Sequence, residues 1–354
     1  MDFLFGRIPM FNQEQLPYLL QKEHIAQLQK DSILIGDRRT FPFERSFVRC
    51  HDITSVADAI RAMVTQGGGP LQVALVSMKF LARQIARSIV PCTIETFDEA
   101  IRILSKARPT NTTMARTLTS FGVKLTAIEF DKRTIVEIVD NLVHMIEIDF
   151  DRQYDLMSDF GSSVITDQDG ILTTCFAEHS FLLSLLKAKD QGKRFKVFVP
   201  ETRPYLQGAR LTAPSLVELG IETALVTDGM AGHLMANKIV NRYMTAADAV
   251  AMDGSIANKI GTLTNAVCAL HFQIPYHAFA VSPDTSLHSC DDIVVELRDG
   301  NDIKRVMGTP ITVEQVQGYY PAFDVIDATL ITSIITGKGM FAPNQITHAY
   351  DEVT

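Results

Sequence analysis

The chain of 354 residues contains no uninterrupted apolar run near the roughly 20 residues that cross a bilayer, so membrane insertion is not expected. No basic stretch leads into an apolar one at the amino terminus either, which argues against a secretory signal. Lysines and arginines are dispersed and the net charge is −8, so the basic block that neutralises several nucleic-acid phosphates is missing. Nucleic acid is therefore not an expected partner. The five cysteines, Cys50, Cys92, Cys175, Cys268 and Cys290, stand far apart, without a Cys-x-x-Cys pair to suggest zinc or a redox couple. That usage fits a reducing cytoplasm. Gly-x-Gly-x-x-Gly, a Walker-type lysine loop and His-Glu-x-x-His are missing as well, so neither a nucleotide cofactor nor a catalytic metal is expected.

Apolar residues make up 46% of the chain, enough for a sizeable core, and the length suggests two domains. From Thr54 to Ile89, apolar residues recur three and four apart on either side of Gln66-Gly67-Gly68-Gly69-Pro70, predicting two helices broken by the glycines. Helices are also predicted over Ile94–Ala107, Met114–Phe121 and Thr134–Ile148, with a small sheet near the amino terminus. Beyond Asp159 the rhythm changes to short β-branched runs alternating with helical stretches. The expected strands are Ser163–Thr166 with Gly170–Thr173, Lys196–Val199, Thr223–Val226, Ala249–Met252, Pro275–Val281 and Ile293–Val295. This alternation predicts an α/β fold: a Rossmann-like, doubly wound parallel sheet over residues 153–354, preceded by a smaller, mainly helical domain over 1–152.

Several polar segments fall where such a sheet keeps its ligand, at the carboxyl ends of strands. Ile171-Leu172-Thr173-Thr174-Cys175 leads into a helix predicted over Phe176–Lys187, whose amino end would favour a thiolate at Cys175, with His179 one turn on. The other reading is a buried, inert cysteine beside a satisfied histidine. Asp248, at the start of an apolar strand, is either a desolvated general acid or a structural hydrogen-bonding group. Asn258-Lys259, at a predicted helix start, can hold phosphate or hydroxyls, or be merely solvated. In the loop Glu201-Thr202-Arg203-Pro204-Tyr205-Leu206-Gln207-Gly208, Arg203 suits a phosphate clamp and Gln207 suits sugar hydroxyls; a solvated surface network is the alternative. Asp228 is a ligand or a helix cap. In the first domain, Gln66, Gly67, Gly68 and Gly69 offer backbone amides before a helix, and Arg108 in Arg108-Pro109-Thr110-Asn111 offers a guanidinium; a plain turn is the alternative for the glycines.

The stretch Glu201-Thr202-Arg203-Pro204-x-x-Gln207-Gly208-x-Arg210-Leu211-Thr212 resembles the signature of the methylthioribose-1-phosphate isomerase family, aldose-1-phosphate isomerases that share their fold with regulatory subunits of translation initiation factor 2B. Ile171-Leu172-Thr173-x-Cys175, Asp248 ahead of Asn258-Lys259-Ile260-Gly261-Thr262, Arg108-Pro109-Thr110, and Tyr320-Pro321-Ala322-Phe323-Asp324-Val325, where the family has Asn-Pro-Ala-Phe-Asp-Val, extend the resemblance along most of the chain. It implies that Cys175 and Asp248 are the catalytic pair, which the initiation-factor subunits generally lack. It further implies a homodimer, and conversion of a pentose 1-phosphate to the ketose 1-phosphate in salvage of S-adenosylmethionine by-products. The rival reading is a non-catalytic regulator of the same fold that binds a sugar phosphate or nucleotide. A nicotinamide-dependent oxidoreductase is disfavoured by the missing glycine fingerprint. Gln66-Gly67-Gly68-Gly69-Pro70 replaces the family's Arg-Gly-Ala-Pro, the thiol is followed by Phe176-Ala177-Glu178-His179, and Ala246 and Ala249 flank Asp248 where the family has glycine and arginine. These departures imply a reshaped pocket and make 5-deoxyribose 1-phosphate as plausible a substrate as 5-methylthioribose 1-phosphate.

Overall fold

The computed structural model describes residues 13–110 and 112–351, leaving aside the side chain of Glu178, and the chain divides into two compact units, Met1–Arg152 and Gln153–Thr354. In the first unit a short helix α1 (Lys22–Ile25) leads into an antiparallel sheet of β1 (Ala26–Leu28), β2 (Ile33–Gly36) and β3 (Phe47–Cys50). Four helices follow, α2 (Ile53–Arg61), α3 (Gly69–Ala86), α4 (Ile94–Ser105) and α5 (Thr112–Thr126), and then the long α6 (Ile135–Ser163), whose residues from Gln153 on belong to the second unit. Asp52 starts α2 because its carboxylate accepts the Ser55 N–H at 2.7 Å, satisfying one of the amides that every helix start leaves unpaired. The glycine break falls where it was expected: Gly67 takes φ +62°, and a Cβ on Gly69 would lie 2.1 Å from the Thr65 hydroxyl. Ile33, Ile35, Val56, Ile60, Val73, Leu81, Phe97, Leu118, Phe121 and Val139 build one buried core.

The second unit carries a seven-stranded sheet: β4 (Asp169–Leu172), β5 (Phe195–Pro200), β6 (Glu222–Val226), β7 (Arg242–Ala246), β10 (Tyr276–Phe279), β16 (Ser333–Thr336) and β17 (Gly339–Phe341). Its order is β6-β5-β4-β7-β10-β16-β17, all parallel except the terminal β17. The chain thus adds strands outward from β4 to one edge, returns to pair β7 against β4, and builds outward again, which is the doubly wound pattern. Helices α7 (Glu178–Asp190), α8 (Ala213–Glu218), α9 (Ala231–Ala236) and α10 (Thr262–His271) lie between these strands in sequence. A smaller antiparallel sheet, β8 (Ala249–Val250), β9 (Ile256–Lys259) and β15 (Phe323–Ile326), follows the end of β7, and β11 (Leu297–Arg298) pairs with β14 (Tyr320–Pro321). A hairpin of β12 (Arg305–Val306) and β13 (Thr309–Pro310) lies between those two, and α11 (Ile346–Asp351) ends the described chain. Among the described residues no helix is long and apolar enough to cross a membrane.

Some expected boundaries are corrected. Val164-Ile165-Thr166 is a loop, because α6 continues to Ser163, well past the expected end at Ile148. Asn258 and Lys259 lie on strand β9 rather than at a helix start; α10 begins only at Thr262, after Gly261 turns the chain at φ +97°. Ala249–Met252 contributes two residues to the small sheet, and the main-sheet strand in that region is β7, which was not foreseen. Ile293–Val295 is not a strand; the short β11 begins at Leu297.

Candidate active site

Cys175 and Asp248 leave the carboxyl ends of adjacent parallel strands. Cys175 follows β4 by three residues and Asp248 follows β7 by two, and β4 and β7 pair through Ile171 with Arg242 and Leu172 with Tyr243. This is where the strand order reverses, the place where connections on either side diverge and leave a crevice. Cys175 is half-buried and has φ +64°, a left-handed conformation that costs a side-chain-bearing residue roughly 1–2 kcal/mol. Its main chain is pinned on both sides: the Cys175 N–H donates to the Thr202 hydroxyl at 3.1 Å, and the Thr212 hydroxyl donates to the Cys175 carbonyl. Thr202 and Leu206 are themselves left-handed, at φ +63° and +60°. Strained backbone held by specific bonds is the kind of feature that clusters at working sites. The expected helix-end placement of Cys175 is corrected: α7 starts at Glu178, so the thiol precedes the helix rather than opening it. His179 stacks on the Tyr154 ring, with centroids 4.8 Å apart and planes 9° off parallel. Asn111 and the side chain of Glu178 lie outside the described residues.

A buried polar network underlies the thiol. The Thr174 hydroxyl lies 2.7 Å from the Tyr243 hydroxyl and accepts from Asn265 Nδ2 at 3.2 Å. Tyr243 stacks on Tyr276 at 4.4 Å, and the Tyr276 hydroxyl lies 2.7 Å from that of Thr245. Burial pushes both phenols up, so both stay protonated and act as fixed dipoles. Because Thr174 follows β4 by two residues and Tyr243 lies on β7, the network ties together the two strands that lead to Cys175 and Asp248. Asp248 is half-buried, and its N–H donates to the Ala257 carbonyl on β9 at 2.8 Å.

The signature loop is built around Asp228, whose carboxylate accepts the N–H groups of Thr202 at 2.7 Å and Arg203 at 2.8 Å. Asp228 is therefore a clamp on this loop, a role that neither the ligand nor the cap reading had given it. Arg203 also has partners of its own. Its Nη1 donates to the Arg305 carbonyl and its Nη2 to the Ile303 carbonyl, at 2.9 and 2.8 Å, so the guanidinium straps the β12–β13 region to the loop. Gly208 is required by packing, since a Cβ there would meet the Pro200 carbonyl oxygen at 1.8 Å. It opens a π-helical turn, Gly208–Thr212, and such turns recur at functional sites. Gln207 is buried, and its Oε1 has no hydrogen-bond partner among the described residues. Lys259 is buried with Nζ 4.4 Å above the Phe323 ring, and Asn258 Nδ2 donates to the Thr262 hydroxyl at 3.1 Å. Asp324 fixes the turn after them, accepting the N–H groups of Gly261 and Leu263 at 2.8 and 2.9 Å.

Tyr205, from the same loop, meets Tyr320 edge-on at 6.1 Å, and its hydroxyl donates to Asp302 at 2.7 Å. Thr202 was not singled out from sequence for a role here. A threonine beside a Cys-bearing loop carries no local signal, because the loops that pair are distant along the chain. In the first unit, the expected anion-binding residues gather on Met63: Arg108 Nη1 lies 3.7 Å from its sulfur and Gln66 Nε2 donates to its carbonyl at 3.2 Å. The Gln66 carbonyl in turn accepts from the buried Arg38. Among the described residues no group of three or more His, Cys, Asp or Glu is arranged to hold a metal ion.

The model of the Initiation factor 2 subunit family matches residues 69–343. The chain belongs to that family. Its relatives include a methylthioribose-1-phosphate isomerase of Pelotomaculum thermopropionicum, 33% identical over 329 residues, which are 89% of this chain and 88% of the relative. Another, from Thermotoga maritima, is 33% identical over 322 residues, 88% of this chain and 93% of the relative. Among solved structures, 5-methylthioribose 1-phosphate isomerase from Pyrococcus horikoshii superposes with a TM-score of 0.80 at 26% identity, covering 98% of this chain and 99% of that one. The delta subunit of translation initiation factor eIF-2B from A. fulgidus gives 0.74 at 26% identity, covering 91% and 96%. Members named as enzymes and members named as translation factors share the fold, so function has to be argued from the site.

Proposed function

We propose that the chain is an aldose–ketose isomerase acting on a pentose 1-phosphate, with Asp248 as acid and Cys175 as base. The observation that carries this reading is the departure of both residues from neighbouring strands at the reversal of strand order. The names of the relatives support it. An aldose 1-phosphate has its anomeric oxygen esterified, so its ring cannot open spontaneously to a free aldehyde. Asp248 gives a proton to the ring oxygen and the bond from that oxygen to carbon 1 breaks, its electron pair staying on oxygen. The Cys175 sulfur takes the proton of carbon 2, whose bonding pair forms the carbon 1–carbon 2 double bond. The thiol then protonates carbon 1, while the 2-hydroxyl proton returns to Asp248 and leaves the ketose 1-phosphate. Gln207 and Asn258 orient hydroxyls, and the phosphate falls to the buried Lys259.

Carbon 5 carries a small apolar group in this reading, deoxy or methylthio. A methylene or sulfur in an apolar pocket is worth only about 1–3 kcal/mol, so the preference is measured by comparing 5-deoxy-, 5-methylthio- and unsubstituted ribose 1-phosphates. The mechanism is tested with Cys175→Ser and Asp248→Asn, each expected to lose nearly all turnover while the far-ultraviolet circular dichroism stays that of the parent. Near-normal ketose formation by either variant removes the role given to that residue. If the wild-type chain converts no pentose 1-phosphate, the regulator reading takes over.

A further inference from the structure

Tyr320 is buried, 3% exposed, and packs with Ala322 and Phe323 against Tyr205, Ile260, Val295 and Ile303. Its backbone is fixed by pairing with Arg298 across β11 and β14. Its hydroxyl has no hydrogen-bond partner among the described residues. The neighbouring Tyr205 makes the contrast: its hydroxyl is taken by Asp302, and the Arg298 guanidinium, paired with Glu296 at 2.8 Å, stands 5.8 Å over its ring. Buried polar groups in folded proteins are nearly always bonded, so an unbonded one in a packed cluster asks for a partner that arrives later. Burial pushes the Tyr320 phenol well up. Its ring abuts Tyr205, three residues on from Thr202, whose hydroxyl accepts the Cys175 N–H. The phenol therefore stays protonated through neutral pH and offers a donor beside the Cys175 loop.

Resting on the isomerase reading above, we propose that Tyr320 is a further substrate-binding residue, its hydroxyl donating a hydrogen bond to a hydroxyl of the pentose held over Cys175. A tyrosine delivers its donor at the end of a rigid, flat ring, and the Tyr205 ring braces it on edge. The bond orients the sugar so that carbon 2 faces the sulfur.

The test is Tyr320→Phe, which removes one oxygen and keeps the ring. Turnover of 5-deoxy- and 5-methylthioribose 1-phosphate is expected to fall at least about tenfold in kcat/KM, the loss of one buried hydrogen bond. The midpoint of urea unfolding is expected to stay in place or rise, since no internal partner is lost. A structural role for the hydroxyl would do the opposite and lower the midpoint. The proposal is overturned if kcat/KM stays within twofold of wild type, or if activity falls only in step with stability. Wild-type turnover with an indifferent variant removes Tyr320 alone; a wild-type chain inert on every pentose 1-phosphate removes the isomerase reading, and this proposal with it.

Discussion

Asp228 satisfies two backbone amides at once, those of Thr202 and Arg203, and the Thr202 hydroxyl next receives the Cys175 N–H. A single carboxylate thereby fixes the residue that fixes the thiol loop. Replacing it with alanine orphans two N–H donors in a half-buried loop, and each buried donor left unmet costs about 1–3 kcal/mol. Asp228→Ala is expected to lower the unfolding free energy by roughly 2 kcal/mol or more and to reduce kcat more than that loss of folded protein explains, because Cys175 loses its anchor. Asp228→Asn keeps an acceptor oxygen and should lie between variant and parent. Urea unfolding and turnover on the same samples check both; an unchanged midpoint in Asp228→Ala would show that water replaces the carboxylate at no cost. In sequence Asp228 read as a ligand or a helix cap and not as a clamp on the loop, since its two partners lie 25 and 26 positions away.

The elements that were legible are those with a repeating local pattern. Helices α2 to α4 announce themselves by apolar spacing, and β5, β6 and β10 by short apolar, β-branched or aromatic runs between turns. Strand β7 did not. Arg242-Tyr243-Met244-Thr245-Ala246 mixes a charge, a hydroxyl and a thioether, and its identity as a central strand depends on Tyr243 and Thr245 finding partners in Thr174 and Tyr276. The far end of α6 was missed for a related reason. Its end is held by partners distant in sequence: Asp155 and Asp159 both receive Lys187 of α7, at 2.8 and 2.6 Å. Lys187 and Asp155 are buried, so removing one partner leaves the other charge stranded. Lys187→Met is therefore expected to destabilise the fold by about 3–5 kcal/mol, and the double variant Lys187→Met with Asp155→Leu to recover much of it. Thermal unfolding of both checks the pair; equal losses in single and double variants would mean that the cost is packing rather than charge.

At the scale of the molecule, the site was legible as a set of candidates and its arrangement was not. Cys175 and Asp248 lie on loops after strands, and only the strand order β6-β5-β4-β7-β10 makes the strands ahead of them adjacent. Holding that order in register requires polar groups inside the sheet, and one of them makes stability depend on pH. His277 on β10 is buried, with Nδ1 2.8 Å from the Ser333 hydroxyl on β16 and Nε2 without a partner among the described residues. Burial, with Arg242 adding to it, pushes its pKa down from 6.5 to about 4. The unfolded chain thus binds a proton near pH 6.5 that the folded one refuses until near pH 4. Stability contributed by the neutral ring is complete above the unfolded value and falls as the pH drops through that window, by an amount on the order of 3 kcal/mol at its lower end. Below pH 4 both states are protonated and the slope from this group vanishes. His277→Gln, which keeps a polar side chain without a titrating proton, is expected to flatten the fall in unfolding free energy between pH 6.5 and 4 by about that amount. Urea unfolding at half-unit pH steps measures it, and parallel curves for variant and parent would mean that the histidine is solvated in the folded sheet.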